Sequence, residues 1–313
     1  MMRRWARTAV AALAVVAACA GCGLGPGRGT SDVTLTVTRD FGGSRIAALT
    51  RSKVPGSETV MRLLERSLHV GSSYGGGFVD SVDGHASPGA RDDWFYYVNG
   101  VQGSRGAAGT AVHAGDHIWW DLHDWSATDS IPAVVGSFPE PFVHGIGGKR
   151  YPVTVECAPG VNASCARVTA ALNRAHVPAA PQLLGAGSGT ETISVLVGTW
   201  SQLHGEIVAA LIDQGPGSSG VYARFAGTGT GAGSWSLHLL DPAGRVVKTL
   251  GADAGLIAAT AGSSGVPTWV VAGTDAAGVA DASRAFTAGA LHDHFALAVS
   301  GAARLPIPLQ AAR

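Results

Sequence analysis

Charge is scarce in this chain of 313 residues. Charged side chains make up 14% of it, and 22 Lys and Arg balance 22 Asp and Glu. With no basic run or tail, nothing recommends nucleic acid or an anionic surface as a partner. Cysteine is equally sparse, at four residues, and aromatics are held to 7%. No His-Glu-x-x-His motif and no P-loop is present, which removes the zinc peptidases and nucleotide hydrolases that carry those marks. Long apolar runs are missing too. The run from Thr8 to Ala20 is shorter than the ~20 residues that cross a bilayer, and the Gly/Pro stretch from Gly23 to Gly29 would break a helix there.

What is present at the N-terminus reads as an export signal. Arg3, Arg4 and Arg7 precede the apolar run, and small residues follow it up to Cys22. Val16-Ala17-Ala18-Cys19 and Cys19-Ala20-Gly21-Cys22 both resemble the lipobox of bacterial lipoproteins. Cysteine parity favours Cys22 as the lipidated residue. Its use removes Cys19 with the signal and leaves Cys157 and Cys165 as a pair, whereas use of Cys19 strands an odd thiol in an oxidising compartment. Loss of Arg3, Arg4 and Arg7 leaves 19 basic against 22 acidic residues, a net charge of about −3. The expected location is extracytoplasmic, with a lipid anchor in the cell membrane.

We divide the chain into a signal at 1–22, a tether at 23–31, a first domain at 32–126, a Pro- and Gly-rich linker at 127–149 and a second domain at 150–313. In the first domain Val33, Leu35 and Val37 alternate with Thr34, Thr36 and Thr38, the period of a half-buried strand. Ser57 is placed as the N-cap of a helix carrying Val60, Leu63 and Leu64 on one face. Strands are expected near 68–74, 78–82, 94–98 and 117–122. A sheet with one helix across it is an α+β arrangement.

The second domain reads as α/β. Tyr151, Val153, Val155 and Cys157 share a strand face, while Cys165, Val168, Leu172 and Ala175 share a helix face. Both cysteines point to one core, so a Cys157–Cys165 disulfide is expected. A weak repeat, Val195-Leu196-Val197-Gly198-Thr199 and Val270-Val271-Ala272-Gly273-Thr274, places two strands, each before a helix, over 200–212 and 275–288. Thr199 and Thr274 are placed as helix caps. Gly227-Thr228-Gly229-Thr230-Gly231-Ala232-Gly233 is read as a hairpin connection rather than a nucleotide loop.

Between Ser57 and Trp125 the aromatics concentrate. The segment holds Ser57-Glu58-Thr59-Val60, Tyr74-Gly75-Gly76-Gly77-Phe78-Val79, Asp93-Trp94-Phe95-Tyr96-Tyr97-Val98-Asn99-Gly100, and the run Gly115-Asp116-His117-Ile118-Trp119-Trp120-Asp121-Leu122-His123-Asp124-Trp125. In order and spacing this resembles the transcobalamin C-terminal-like domain. That family is a small β-grasp-like module found in cobalamin carriers and in bacterial surface proteins of unknown function. The resemblance implies a β-grasp-like fold over Asp32–Trp125. It also implies a face that closes over cobalamin in concert with an α-helical barrel, of which the rest of this chain shows no sign. Candidate ligand contacts are Tyr74, Trp94, Tyr96, Tyr97, Asn99, Trp119, Trp120, His123 and Trp125. Alternation sends Trp94, Tyr96 and Val98 to one face and Phe95, Tyr97 and Asn99 to the other. One face is core, and the other is expected to remain partly open.

His117, Asp121, His123 and Asp124, and separately His292-Asp293-His294, carry metal-ligating side chains without a diagnostic spacing, so no metal is assigned. The sequence therefore reads as a lipid-anchored binding protein rather than an enzyme, with a corrinoid such as cobalamin as the implied ligand and a transporter or envelope protein as the implied partner. The competing reading is an adhesive or structural envelope protein that binds protein or cell-wall polymer and has no small-molecule pocket.

Overall fold

The computed structural model describes residues 32–74, 76–87, 90–227 and 235–310. The signal, Cys19, Cys22 and the tether lie outside these residues, as does the connection 228–234. No described helix is long and apolar enough to cross a membrane.

The first unit is a mixed sheet crossed by one helix. Its elements are β1 (Val33–Arg39), β2 (Ser44–Arg51), α1 (Val60–Ser67), β3 (Val70–Ser73), β4 (Phe78–Val82), β5 (His85–Ala86), β6 (Asp92–Val98), β7 (Val101–Gln102) and β8 (His117–Asp124). The main sheet runs β2-β1-β8-β6-β7, and β3, β4 and β5 form a smaller one. β1 and β8 pair in parallel at the centre, with Thr34 opposite His117 and Thr38 opposite Asp121. Val33, Leu35 and Val37 join Trp94, Tyr96 and the apolar stripe of α1 in a core on one face, as the alternation requires. The N-cap of α1 is Thr59 and not the expected Ser57. Thr59 has extended backbone angles, bridges to Ala111, and its hydroxyl accepts from the Arg62 N–H. Glu58 pairs instead with Arg66 at 3.1 Å.

The second unit opens with β9 (Val153–Cys157), α2 (Asn162–Arg174), β10 (Ala179–Leu183), β11 (Ile193–Thr199), the single turns α3 (Trp200–Leu203) and α4 (Pro216–Ser219), and the hairpin strands β12 (Ala223–Gly227), β13 (Trp235–Leu240) and β14 (Val246–Leu250). It closes with β15 (Ala254–Ala261), β16 (Pro267–Gly273), α5 (Ala276–Ala285), α6 (Ala288–Leu291), β17 (Ala296–Ser300) and β18 (Ala303–Ile307). The main sheet has the order β10-β9-β11-β16-β15-β17-β18. The repeat forms β11 and β16, which lie side by side in parallel with Gly198 opposite Ala272. β12 and β13, which flank the Gly-rich connection, pair antiparallel.

The helix expected over 200–212 is instead one α turn followed by a 3-10 segment at Ala209–Gln214. Gly205 falls in the break, where glycine weakens a helix most. Thr199 stands at the expected N-cap position, where its backbone N–H donates to the Gln202 side-chain oxygen at 3.1 Å. Thr274 does not cap. Its neighbour Asp275 does, accepting from the Gly278 N–H at 2.9 Å, while the Thr274 hydroxyl donates to the Ala254 carbonyl.

One face of the second sheet holds Val195, Val197, Val271 and Ile257 against α2 and α5. Cys157 and Cys165 meet there as a disulfide, their Cα atoms 5.9 Å apart. Closing so short a loop stabilises by somewhat under about 3 kcal/mol in the chain-entropy account. The opposite face, with Leu196, Leu256, Ala258 and Val270, is covered by Trp200, the β12–β14 sheet and the first unit's own Phe41, Tyr97 and Trp119. The two units thus share a core. The stretch 127–149 that joins them is not free chain. Ile131 and Val134 are buried in the shared core and Val135 and Phe142 in the helix-side core of the second unit, and the Val135 N–H donates to the Phe295 carbonyl.

Candidate functional site

Both faces of the aromatic hairpin are covered, which corrects the expectation that one stays open. Trp94, Tyr96 and Trp120 pack on the α1 side, and the Tyr96 hydroxyl donates to the Arg105 carbonyl at 2.6 Å. Tyr97 and Trp119, both fully buried, pack on the second unit. The Asn99 side chain is also fully buried. Its amide donates to Asp116 and to the Gly145 carbonyl, both at 2.8 Å, and its oxygen accepts from the His117 N–H. It therefore ties the hairpin turn to the loop before β8. Of the nine candidate contacts only Tyr74 stands open, 89% exposed, in an edge-to-face pair with Phe78. Trp125 is half-buried.

His123 lies inside the seam between the units, stacked between Phe41 and Phe95 with ring centroids 4.5 Å from each. Its Nδ1 donates to Asp121 at 2.8 Å, because a carboxylate oxygen can only accept. Asp121 also accepts from the Thr38 hydroxyl at 2.5 Å and from the backbone N–H groups of Phe41 and Gly42. Thr38 in turn accepts from the Trp119 indole at 2.7 Å. The network is closed, and its partners fix the β1–β2 turn that carries Phe41. Phe41 has a positive φ of 57°, and Gly42 next to it runs against the Asp293 carbonyl, where a Cβ would sit 1.8 Å from the oxygen. Sequence reasoning missed Phe41. The available signal was a large apolar residue in Asp40-Phe41-Gly42-Gly43, a tetrapeptide otherwise made for a turn.

The opening lies farther along the same sheet face, where aromatics give way to hydroxyls. A cleft of about 440 Å³ runs between the units. Its floor is the face of β1, β2 and β8 that carries Thr34, Thr36, Ala48, Thr50 and His117, and its walls are Gly136–Glu140 and His292. The hydroxyl of Ser137 is buried without a hydrogen-bond partner among the described residues. Glu140 receives the His144 N–H at 2.9 Å and the ring Nδ1 at 2.6 Å, while burial raises its pKa. At the rim Arg45 of the first unit clasps Asp293 of the second at 2.5 Å and reaches His292 Nδ1 at 3.0 Å. Sequence reasoning found the threonine face of β1 but had no means to bring 136–140 and His292 to it.

His117 Nε2 lies 3.0 Å from the Thr36 hydroxyl. Burial lowers its pKa to about 4, against a smaller upward pull from Asp293. Unfolding therefore takes up a proton between pH 6.5 and 4, and the fold loses stability as pH falls through that window. His294, also lowered by burial, adds in the same direction, while Glu140 opposes it by protonating more readily in the fold. His117 alone should cost about 2 kcal/mol between pH 7 and pH 5. Urea denaturation at both pH values should show this loss cut by more than half in His117→Gln, and equal losses in the two proteins would remove His117 from the account.

Among the described residues no three His, Cys, Asp or Glu side chains converge as metal ligands. Asp121 and His123 are engaged with each other, Asp124 accepts from the Ser126 N–H, and Asp293 faces Arg45. Gly71-Ser72-Ser73-Tyr74-Gly75 has the spacing of a nucleophile elbow in the sequence, but Ser73 ends β3, the next element among the described residues is the strand β4 and not a helix, and Ser73 donates to Asp80 at 2.9 Å.

Residues 57–124 match a family described as a domain of unknown function, DUF4430. This match falls inside the first unit. A solved structure of a candidate metal binding protein from Ruminococcus gnavus is 20% identical, with 30% of this chain and 97% of that one covered and a TM-score of 0.25. No curated protein matches.

Proposed function

We propose that the chain is a lipid-anchored, extracytoplasmic binding protein, not an enzyme, that takes a small ligand into the cleft between its two units. The observation that carries this reading is the cleft itself. It lies at a junction of units, the usual place for a ligand site, and has a volume within the ~300–1,000 Å³ of such sites. Its floor carries polar groups on a sheet face that is otherwise sealed. The non-enzymatic part of the reading draws on Ser137 and Ser73. The first has no base within hydrogen-bonding reach, and the second is held by a carboxylate on an exposed hairpin.

To test it, the protein is purified from its own membranes and denatured, and the small molecules released are compared by mass spectrometry with those from Ala48→Trp. Ala48 is an exposed residue on the cleft floor, so its indole fills the cleft without disturbing the core. A compound carried by the unmodified protein and depleted in the variant is the expected result. Identical contents would sink the reading.

Corrinoid capture, with delivery to a transporter or envelope protein, is a second reading, favoured by the exposed pair Tyr74 and Phe78. Calorimetric titration with cobalamin and cobinamide separates the sites. Heat lost in Tyr74→Ala puts a corrinoid on the hairpin, heat lost in Ala48→Trp puts it in the cleft, and no heat from either compound removes it.

A further inference from the structure

We propose that the cleft takes a neutral, polyhydroxylated ligand the size of one or two sugar rings. This rests on the cleft reading above and names its ligand class.

The formal charges around the cleft are already matched. Glu140 accepts from two groups of His144, Asp293 is clasped by Arg45, and no Lys or Arg is among the described residues that line the walls. An anion would need an unpaired guanidinium or ammonium, or converging backbone N–H groups. A cation would need an unpaired carboxylate. What remains available is neutral hydrogen-bonding chemistry, supplied by the hydroxyls of Thr34 and Thr50 and by the Thr36–His117 pair. A hydroxyl both donates and accepts, and with Nε2 of His117 held by Thr36 the ring's other nitrogen, Nδ1, donates or accepts according to the tautomer. That is the complement of a sugar hydroxyl, which also does both. Phe138 and Pro139 add apolar surface on the opposite wall, which suits the C–H face of a pyranose ring. A volume of about 440 Å³ has room for such a ring.

The test titrates the full chain in detergent with glucose, N-acetylglucosamine, inorganic phosphate and ethylammonium, following the imidazole NMR signals of His117. Two variants at exposed floor positions accompany it, Thr50→Val and Ala48→Trp. The expected result is a saturable shift of the His117 signals with one or both sugars and none with the ions. Thr50→Val should weaken the sugar about threefold or more, and Ala48→Trp about tenfold or more, the latter corresponding to about 1.4 kcal/mol. Phosphate or ethylammonium moving the His117 signals while the sugars do not would overturn the ligand class and leave the cleft reading standing. Sugar binding unchanged in both variants, or no shift with any probe, would overturn the proposal.

Discussion

Asp121→Ala should lower the unfolding free energy by about 3–5 kcal/mol. The carboxylate is fully buried and receives Thr38, His123 and two backbone N–H groups. Its removal leaves all four without their acceptor in a place where water does not enter, and each unpaired buried polar group costs on the order of 1–3 kcal/mol. Some relaxation keeps the total below the simple sum. Asp121→Asn, which retains one acceptor oxygen, should lose about half as much. Chemical denaturation decides it: a loss below about 1 kcal/mol in the alanine variant would mean that water replaces the carboxylate and that the network is not closed.

Phe41→Ala should cost as much, by a different route. Phe41 stands at the tip of the β1–β2 turn, stacked on His123 and edge-on to Tyr222 and Phe295 at 5.1 and 5.2 Å. With Tyr97 and Trp119 it is one of the side chains by which the first unit enters the core of the second. Truncation of a buried phenylalanine costs about 3–5 kcal/mol, and here the cavity opens in the seam. The shared core predicts a single calorimetric transition for the unmodified protein, and the variant should broaden or split it. One sharp transition at an unchanged temperature would show that the seam contributes little to cooperativity.

Much of the architecture could be read in advance because it depends on local pattern. The two-residue period of Val33–Thr38, the apolar stripe on α1, the repeat that became β11 and β16 and the cysteine pair all express rules that act over a few residues. The hairpin motif also placed Trp94 and Tyr96 correctly opposite Phe95 and Tyr97. What failed was the step from two faces to an open face. Nothing near residue 97 reports that Phe295, nearly two hundred positions later, will lie 5.5 Å from Tyr97. Aromatic density was read as a sign of binding, and much of it is the packing surface for the chain's own second half. The cleft was hidden for the same reason. Thr34 and His117 are plain in the sequence, but Glu140 and His292 reach them only through the fold.

The shared core also sets an order of events in time. A chain is made from its N-terminus, and domains tend to fold as they emerge. The first unit has its helix, its sheet and one core as soon as β8 is complete, yet Phe41, Tyr97 and Trp119 then face water until β15, β16 and the strand after Phe295 arrive. For that interval the nascent protein presents an aromatic sheet face of the kind that sticks to its neighbours. Its yield in a cell should therefore depend on how quickly the second half follows the first, and on whatever shields that face meanwhile.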